Sequence, residues 1–378
     1  MMGWRNHKIG DIADLCLGKM LDDKKNRGEP LPYLANVNVR WGEFDLSDLR
    51  EMRFESHEMD RYGLRDGDIV MCEGGEPGRC AIWKNEMPGM MIQKALHRIR
   101  AHDGIDSRFL YYSLLQKGRM NEYSALFTGS TIKHLPKQML ELVEVLVPPL
   151  PIQNRITETL SAYDDLIANN RRRIALLEES ARLLYREWFV RLRFPGHEHT
   201  RIVNGVPEGW AFIPLENAFV LQRGFDLPVQ ERQDGYVPIY GSTGISGYHN
   251  KAKVEAPGIV TGRSGTLGEV CYVYEDFWPL NTSLWVKEFR RVTPLFALFL
   301  LRSLDLKQYN GGSSVPTLDR KTVHKIEILV PPHHLLSSFD EFASPVYEQI
   351  QKLTTQNQKL RTARDLLLPK LMSGEIEV

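Results

Sequence analysis

The side chains that could do chemistry form no complete catalytic motif. Two Pro-Pro pairs follow Val147 and Val330, where the Asn-Pro-Pro-aromatic motif of amino-methylation requires an asparagine. No Gly-x-x-x-x-Gly-Lys-[Ser/Thr] loop is available to bind the phosphates of ATP. The string DLK at 305–307 spells the Asp-x-Lys of nucleases, but the Pro-Asp pair that accompanies it there is missing. We therefore predict that the chain is not an enzyme and has no catalytic residue.

Histidines and cysteines also lack the spacing of a metal site. His333 and His334 stand together without the company of cysteines or carboxylates, which favours a surface role at a helix entry. The four cysteines show neither Cys-x-x-Cys spacing nor a neighbouring histidine pair; they are Cys16, Cys72, Cys80 and Cys271. We predict reduced thiols, no metal and no cofactor on this chain.

Length and charge bound the class of protein. A chain of 378 residues exceeds one compact core and is expected to form two or more domains. Its 48 basic and 48 acidic residues cancel, so a bulk positive field cannot be what holds a nucleic acid. No apolar run approaches the ~20 residues of a membrane span, and the start lacks the apolar core of a signal peptide. We therefore expect a cytoplasmic protein without a membrane partner.

Two stretches have the apolar spacing of a coiled-coil seam. Apolar residues step by four and three from Ile156 to Trp188, and the same positions return 183 residues later, from Phe339 to Leu371. One such helix cannot bury its seam alone, so the second is its predicted partner. The prolines at 148–149 mark the entry to the first helix, because proline is excluded from a helix interior.

The segments that precede the two helices repeat as well. DIVMCEGGEPG at 68–78 returns as GIVTGRSGTLG at 258–268, and GSTIKHL at 129–135 returns as GSSVPTL at 312–318. The matching strings keep their order along the chain. Short apolar runs separated by Gly, Pro and Asp indicate mixed α/β domains.

These patterns predict an α+β fold with an internal pseudo-twofold repeat. Two mixed α/β domains, 1–146 and 204–329, are separated by two long antiparallel coiled-coil helices. The first helix and a turn-rich connector take up 147–203, and the second helix takes up 330–378.

Several strings in this order resemble one family, the specificity subunit of type I restriction-modification enzymes. They are VPPLPIQNRI before the first helix, YREWFVRLRFPGHE at its end, VPEGW at the start of the second domain and RDLLLPKLMSGEI near the C-terminus. The resemblance covers the entire chain. It implies a non-catalytic subunit that reads a bipartite double-stranded DNA site, one half-site per target recognition domain. It further implies two methylation subunits and restriction subunits as partners, which would carry S-adenosylmethionine, ATP and magnesium.

If the chain reads DNA, polar and cationic side chains on glycine-rich loops are the candidates, since such loops can approach a groove closely. In the first domain they are Arg40, Trp41, Arg79, Ser130, Thr131 and Lys133. In the second domain they are Tyr240, Ser242, Thr243, Arg263, Ser264 and Ser314.

Two other functions stay open at this point. A coiled-coil scaffold for proteins, without DNA binding, is compatible with composition and spacing. A recognition part fused to a restriction or methylation enzyme is the other, although a catalytic domain would need more chain than remains after both repeats.

Each seam contains one asparagine, and the pair predicts a register. Facing residues of antiparallel helices have a constant sum of numbers, and a sum of 527 places Asn170 opposite Asn357 and Trp188 opposite Phe339. Two facing amides can bond to each other, whereas one alone in an apolar seam is left unsatisfied. We therefore predict that this pair selects the register and, with it, the spacing of the two domains.

Overall fold

The computed structural model describes residues 3–22, 26–312 and 315–377. They form two compact units. Unit 1 comprises Met1–Ala168 and Asn357–Val378, and unit 2 comprises Asn169–Gln356. Each unit contains part of both long helices in addition to its own sheets.

Unit 1 contains short strands and helices before the first long helix. Its described strands are β1 (Arg5–Lys8), β2 (Ala13–Leu17), β3 (Glu29–Leu34), β4 (Val39–Arg40), β5 (Glu43–Phe44), β6 (Arg50–Phe54), β7 (Ile69–Cys72), β8 (Cys80–Ile82), β9 (Met91–Ile92), β10 (Leu96–Ala101) and β11 (Glu144–Val147). Its helices are α1 (Ile9–Ile12), α2 (Met59–Tyr62), α3 (Ser107–Arg119), α4 (Lys137–Glu141) and the long α5 (Leu150–Tyr185), which continues into unit 2.

Two sheets and a helix make the framework of unit 1. The larger sheet is antiparallel with the strand order β2-β10-β7-β8, and the smaller has the order β6-β3-β9, with β3 and β9 parallel. Every residue of β7 is buried, which fits its uninterrupted apolar sequence. Helix α3 packs on the sheet with Phe109 and Leu110 in the core, and Asp106 caps its first turn by accepting from the amides of Arg108 and Phe109, both at 2.9 Å.

Unit 2 is built from the same parts. Its described strands are β12 (Ile202–Val203), β13 (Val206–Pro207), β14 (Ala211–Pro214), β15 (Phe219–Arg223), β16 (Val237–Gly241), β17 (Gly244–His249), β18 (Gly258–Gly262), β19 (Val270–Val273), β20 (Trp278–Pro279), β21 (Ser283–Phe289) and β22 (Glu327–Val330). Its helices are α6 (Leu215–Ala218), α7 (Pro294–Ser303), α8 (Arg320–His324) and the long α9 (His333–Met372), which continues into unit 1.

The topology of unit 2 confirms the predicted internal repeat. Its larger sheet has the order β15-β21-β18-β19 and its smaller sheet the order β17-β16-β20, again with one parallel pair, β16 and β20. Helix α7 takes the place of α3. Its residues from Leu295 to Leu301 are all buried, so the run LFALFLL is a core helix.

The two long helices run antiparallel inside each unit, as predicted. In unit 1, Asp164 of α5 accepts a hydrogen bond from Arg364 of α9, and Asn357 Nδ2 lies 3.5 Å from the carbonyl oxygen of Ile167. In unit 2, Trp188 contacts Phe339, with ring centroids 6.3 Å apart. Helix α5 begins directly after the two prolines and ends at Tyr185, where a π-helical turn, Arg186–Val190, completes the predicted stretch.

Candidate nucleic-acid interface

A cleft in unit 1 lies between two loops that are joined through their main chains. One loop follows β7 and contains Gly74; the other is the segment 128–134. Gly74 forms an isolated β-bridge with His134, and the amide of Leu135 donates to the carbonyl oxygen of Glu73 at 2.8 Å. Thr128 and His134 also exchange main-chain hydrogen bonds, at 2.8 and 2.9 Å. The loop between them is therefore closed at its base and projects its tip into solvent.

Three of the six predicted residues of the first domain line this cleft. The cavity has a volume of about 690 Å³, and Trp41, Thr131 and Lys133 are among its lining residues. Thr131 and Lys133 are exposed, and neither side chain has a hydrogen bond or ion pair to the rest of the described chain. Ser130 is exposed on the same loop.

Three of the six predicted side chains of the first domain, Arg40, Trp41 and Arg79, make polar contacts within the protein. Glu76 accepts from Trp41 Nε1 at 2.7 Å and from Arg79 Nη1 at 2.6 Å, while Arg79 Nη2 donates to the carbonyl oxygen of Asn36 at 2.8 Å. Only 14% of the Arg79 side chain is exposed. Arg79 therefore stabilises the loop after β7 through these contacts within the protein. Arg40 lies at the surface and pairs with Asp45 at 3.3 Å.

Unit 2 has the same connection between two loops at the position that the repeat predicts, and a different cleft lies beside it. Ser264 forms an isolated β-bridge with Thr317, and these two residues are the repeat equivalents of Gly74 and His134. The amide of Leu318 donates to the carbonyl oxygen of Arg263 at 2.8 Å, as Leu135 does to Glu73 in unit 1. The same main-chain connection thus joins the same two loops in both units.

The cleft of unit 2 is lined by four cationic side chains, and its volume is about 310 Å³. They are Arg223, Arg263, Arg320 and Lys321. Arg263 Nη1 donates to the carbonyl oxygen of Asn281 at 3.3 Å. The carboxylate that lines the cleft, Asp319, caps α8; hydrogen bonds from the hydroxyl of Thr322 and from main-chain amides lower its pKa.

The structure places the remaining predicted residues of the second domain at different depths. Ser242 and Thr243 form the turn between β16 and β17, where Ser242 is half-buried and Thr243 is exposed. A Cβ at Gly262 would lie 2.0 Å from the carbonyl oxygen of Thr266, so only glycine fits where the loop after β18 leaves the sheet. Ser314 lies outside the described residues.

The prediction that Tyr240 contacts DNA conflicts with its position in the fold. Its ring packs against Val260 and Phe277 in the core, with 9% of the residue exposed, and burial raises the pKa of its phenol. The glycine-rich sequence around it suggested a loop, but Tyr240 belongs to β16, the central strand of the smaller sheet. With its ring packed in the core, Tyr240 does not have the exposed loop position on which the prediction of a DNA contact was based.

Sequence reasoning also missed cations that fold into the clefts. Arg223 ends β15, whereas Arg320 and Lys321 begin α8, so nothing in the local sequence connects them. The one sequence signal is the basic pair Arg320-Lys321, which follows the string GSSVPTL after Asp319, and it does not extend to Arg223. In unit 1, Arg119 at the end of α3 lines the cleft and pairs with Asp365 at 2.7 Å.

In the part of the chain that the structure describes, no group of three or more His, Cys, Asp or Glu side chains is arranged to hold a metal ion. Within the same residues, no helix has both the length and the apolar character needed to cross a membrane.

Comparisons with known proteins agree on one family. A family model described as "Type I restriction modification DNA specificity domain" matches residues 1–179 and 207–335. The chain is 34% identical over 467 aligned residues to the type I restriction enzyme HindI specificity subunit of Haemophilus influenzae, and the alignment covers 100% of both chains. It is 25% identical over 409 residues to the MjaIX specificity subunit of Methanocaldococcus jannaschii, covering 99% of this chain and 94% of that protein.

A solved structure supports the fold. The crystal structure of the type I restriction-modification system S subunit from M. genitalium matches with a TM-score of 0.59 at 21% identity. The match covers 97% of this chain and 96% of that chain, so the likeness extends over both units.

Proposed function

The chain belongs to the family of type I restriction modification DNA specificity domains, and from that premise we propose how its two units read DNA. It is the non-catalytic specificity subunit of a restriction-modification complex. Residues 1–146 and 204–329 are the target recognition domains, and each reads one half of a bipartite double-stranded site. The segments 147–203 and 330–378 are the spacer helices.

The observation that carries this proposal is the repeated pair of bridged loops, which has a cleft beside it in each unit. Two loops joined by the same main-chain bridge, Gly74 with His134 and Ser264 with Thr317, present polar and cationic side chains to solvent in both units. Loops held by main-chain hydrogen bonds can change their side chains without loss of the framework. Such variation suits a protein whose two halves must recognise two different base sequences.

The catalytic activities belong to the partners. We propose two methylation subunits, which bind S-adenosylmethionine, and restriction subunits, which bind ATP and magnesium. The four cysteines are free thiols, which suits the cytoplasm, where the complex would meet DNA.

The test is an exchange of one domain. Residues 1–146 are replaced by the matching domain of a family member, the chimera is assembled with its methylation subunits, and methylated sites are mapped across a genome. We expect one half of the target to change and the other half, together with the spacer length, to persist. The reciprocal exchange of 204–329 is the matched control and should change the other half only.

A change in both halves after a single exchange would contradict the assignment of one half-site to each domain. The purified chain with S-adenosylmethionine and DNA, but without partners, should transfer no methyl groups. Turnover by the chain alone would contradict the non-catalytic assignment.

A further inference from the structure

The two clefts border the same pair of bridged loops, but no residue that lines one cleft is the repeat equivalent of a residue that lines the other, and the clefts differ in charge. Resting on the function proposed above, we propose that unit 2 supplies most of the phosphate contacts of the bound duplex through Arg223, Arg320 and Lys321. The cleft of unit 1 contributes mainly through uncharged contacts. The protein would therefore grip its two half-sites by different physical means.

The first observation is the residue at each equivalent position. Arg223 of unit 2 corresponds to Leu17 of unit 1, and Lys321 corresponds to Gln138. Arg263 corresponds to an acid, Glu73, which contacts the Nδ1 atom of His134 at 3.1 Å.

The fourth cation of unit 2 does have a basic equivalent. Arg320 corresponds to Lys137, but Lys137 pairs with Glu141 one helical turn away, at 3.3 Å. At the positions of unit 1 that correspond to the four cations of the unit 2 cleft there is therefore one cation, Lys137, and it is paired with Glu141.

The second observation is which cations are available. Arg223, Arg320 and Lys321 are exposed, and none has a hydrogen bond or ion pair from its side chain to a described residue. In the cleft of unit 1, Arg119 is paired with Asp365 at 2.7 Å, which leaves Lys133 as the lining cation without an ion pair among the described residues.

The linings differ in their other side chains too. Trp41, Phe127 and Ile132 give the cleft of unit 1 an aromatic and aliphatic lining, and its volume of about 690 Å³ exceeds the 310 Å³ of unit 2. A guanidinium can bind a phosphate through two parallel N–H donors, so a narrow cleft with arginines suits a sugar-phosphate backbone. The larger and less charged cleft of unit 1 suits uncharged groups, which can pack against its aromatic and aliphatic side chains.

Counterion release makes this difference measurable. Each phosphate neutralised by a protein cation contributes roughly −0.9 to the slope of log K against log salt concentration. Three cations that each neutralise one phosphate would therefore contribute about −2.7 to the slope. Substitutions in unit 2 should flatten the salt dependence more than the same number of substitutions in unit 1.

The experiment uses the full chain assembled with its methylation subunits and a labelled duplex of random sequence. Affinity is measured by fluorescence anisotropy between about 50 and 200 mM potassium chloride. The cleft variant combines Arg223→Gln, Arg320→Gln and Lys321→Gln. A charge-matched control combines three exposed lysines of unit 2 that do not line the cleft, as Lys251→Gln, Lys287→Gln and Lys325→Gln.

A third variant measures the contribution of unit 1. It combines Arg40→Gln, Lys133→Gln and Lys137→Gln, which also removes three positive charges. We expect the slope to become less negative by about two to three in the cleft variant and by about one or less in the other two. Thermal melting of each variant identifies any that has failed to fold; the substituted side chains are all at the surface or half-exposed.

The proposal is overturned if the unit 1 variant, or the charge-matched control, flattens the slope as much as the cleft variant does. A wild-type complex that prefers its own methylated target over the random duplex supports the proposed function separately. A complex that binds duplex without any such preference would contradict the proposed function, while the salt slopes would still decide between the two clefts. A complex that binds neither duplex would overturn both.

Discussion

The ionic contact between α5 and α9 in unit 1 gives the sharpest prediction of stability. Asp164 accepts hydrogen bonds from Arg364 and from the hydroxyl of Tyr112, the latter at 2.6 Å. The side chains of Asp164 and Arg364 are 20% and 11% exposed. Burial, followed by the negative charge of Asp164, raises the pKa of Tyr112, so its phenol stays protonated and donates. We predict that Asp164→Leu destabilises unit 1.

The expected cost follows from what the substitution leaves behind. Removing one partner of a buried ion pair costs roughly 3 to 5 kcal/mol, because the remaining charge is buried without compensation. Arg364 keeps Asp365, whose Oδ1 lies 2.8 Å from its Nη2, so we expect the lower end, about 3 kcal/mol. For a unit of this size the melting temperature should fall by about 2 to 4 °C per kcal/mol, or about 6 to 12 °C.

Unit 2 supplies the design of the rescue. At the repeat equivalents of Tyr112, Asp164 and Arg364 it has Leu298, Tyr347 and Ala181, which are all buried in its apolar core. The triple variant Tyr112→Phe, Asp164→Leu and Arg364→Leu removes every polar group of the contact together. Because an apolar replacement of a whole buried ion pair is often neutral, we expect most of the lost stability to return.

Calorimetry measures the melting of unit 1, and hydrogen exchange of the α3 amides assigns the loss to that unit. The matched control is Glu179→Leu on the same helix. Glu179 makes two hydrogen bonds with Arg182 at 2.6 and 2.7 Å, but both side chains are about half exposed, so melting should barely change. A loss for Asp164→Leu as small as that of the control would refute the reasoning, as would a triple variant less stable than the single one.

Two further predictions concern the long helices. Asn170→Leu should lower the melting temperature, and the double variant Asn170→Leu with Asn357→Leu should recover it. The double variant should also discriminate less between spacer lengths, which mapping of methylated sites measures. Additive losses of melting temperature would contradict a facing pair. Burial raises the pKa of Asp340 in α9 to about 6, so unit 2 loses stability as the pH rises from the unfolded value of 3.8 through about 6. Asp340→Asn should therefore raise the melting temperature at about pH 7.5 but not at about pH 4, and an equal effect at both would refute this.

The framework could be predicted from the sequence because its signals are regular. The 4-3 spacing of apolar residues located α5 and α9, and the prolines before Leu150 fixed where α5 begins. The repeated strings identified equivalent strands, such as β7 and β18, before either was placed in a sheet. The apolar spacing is regular because a buried helix seam or sheet face requires an apolar residue at each position that faces the core.

Side-chain roles were less predictable because they depend on contacts across the sequence. The sequence around Arg79 suggests an exposed cation, but in the structure Arg79 donates hydrogen bonds to Glu76 and to the carbonyl oxygen of Asn36 and is largely buried. Arg223 and Arg320 meet at one cleft only because the chain crosses the sheet between them. Arg364 falls at a seam position of the second helix by its spacing, but the spacing does not reveal its carboxylate partner, Asp164, which lies on α5.

Dependence on main-chain contacts also explains how one framework can support two recognition domains with different side chains. The bridges that close the clefts, Gly74 with His134 and Ser264 with Thr317, are main-chain pairs, so they do not require a particular side chain. The residue before each bridge can then be an acid, Glu73, or a base, Arg263, while the amide that bonds to its carbonyl oxygen stays in place. Charge at the cleft is therefore nearly independent of fold stability, which permits duplicated domains to diverge in what they bind while keeping the sheets they share.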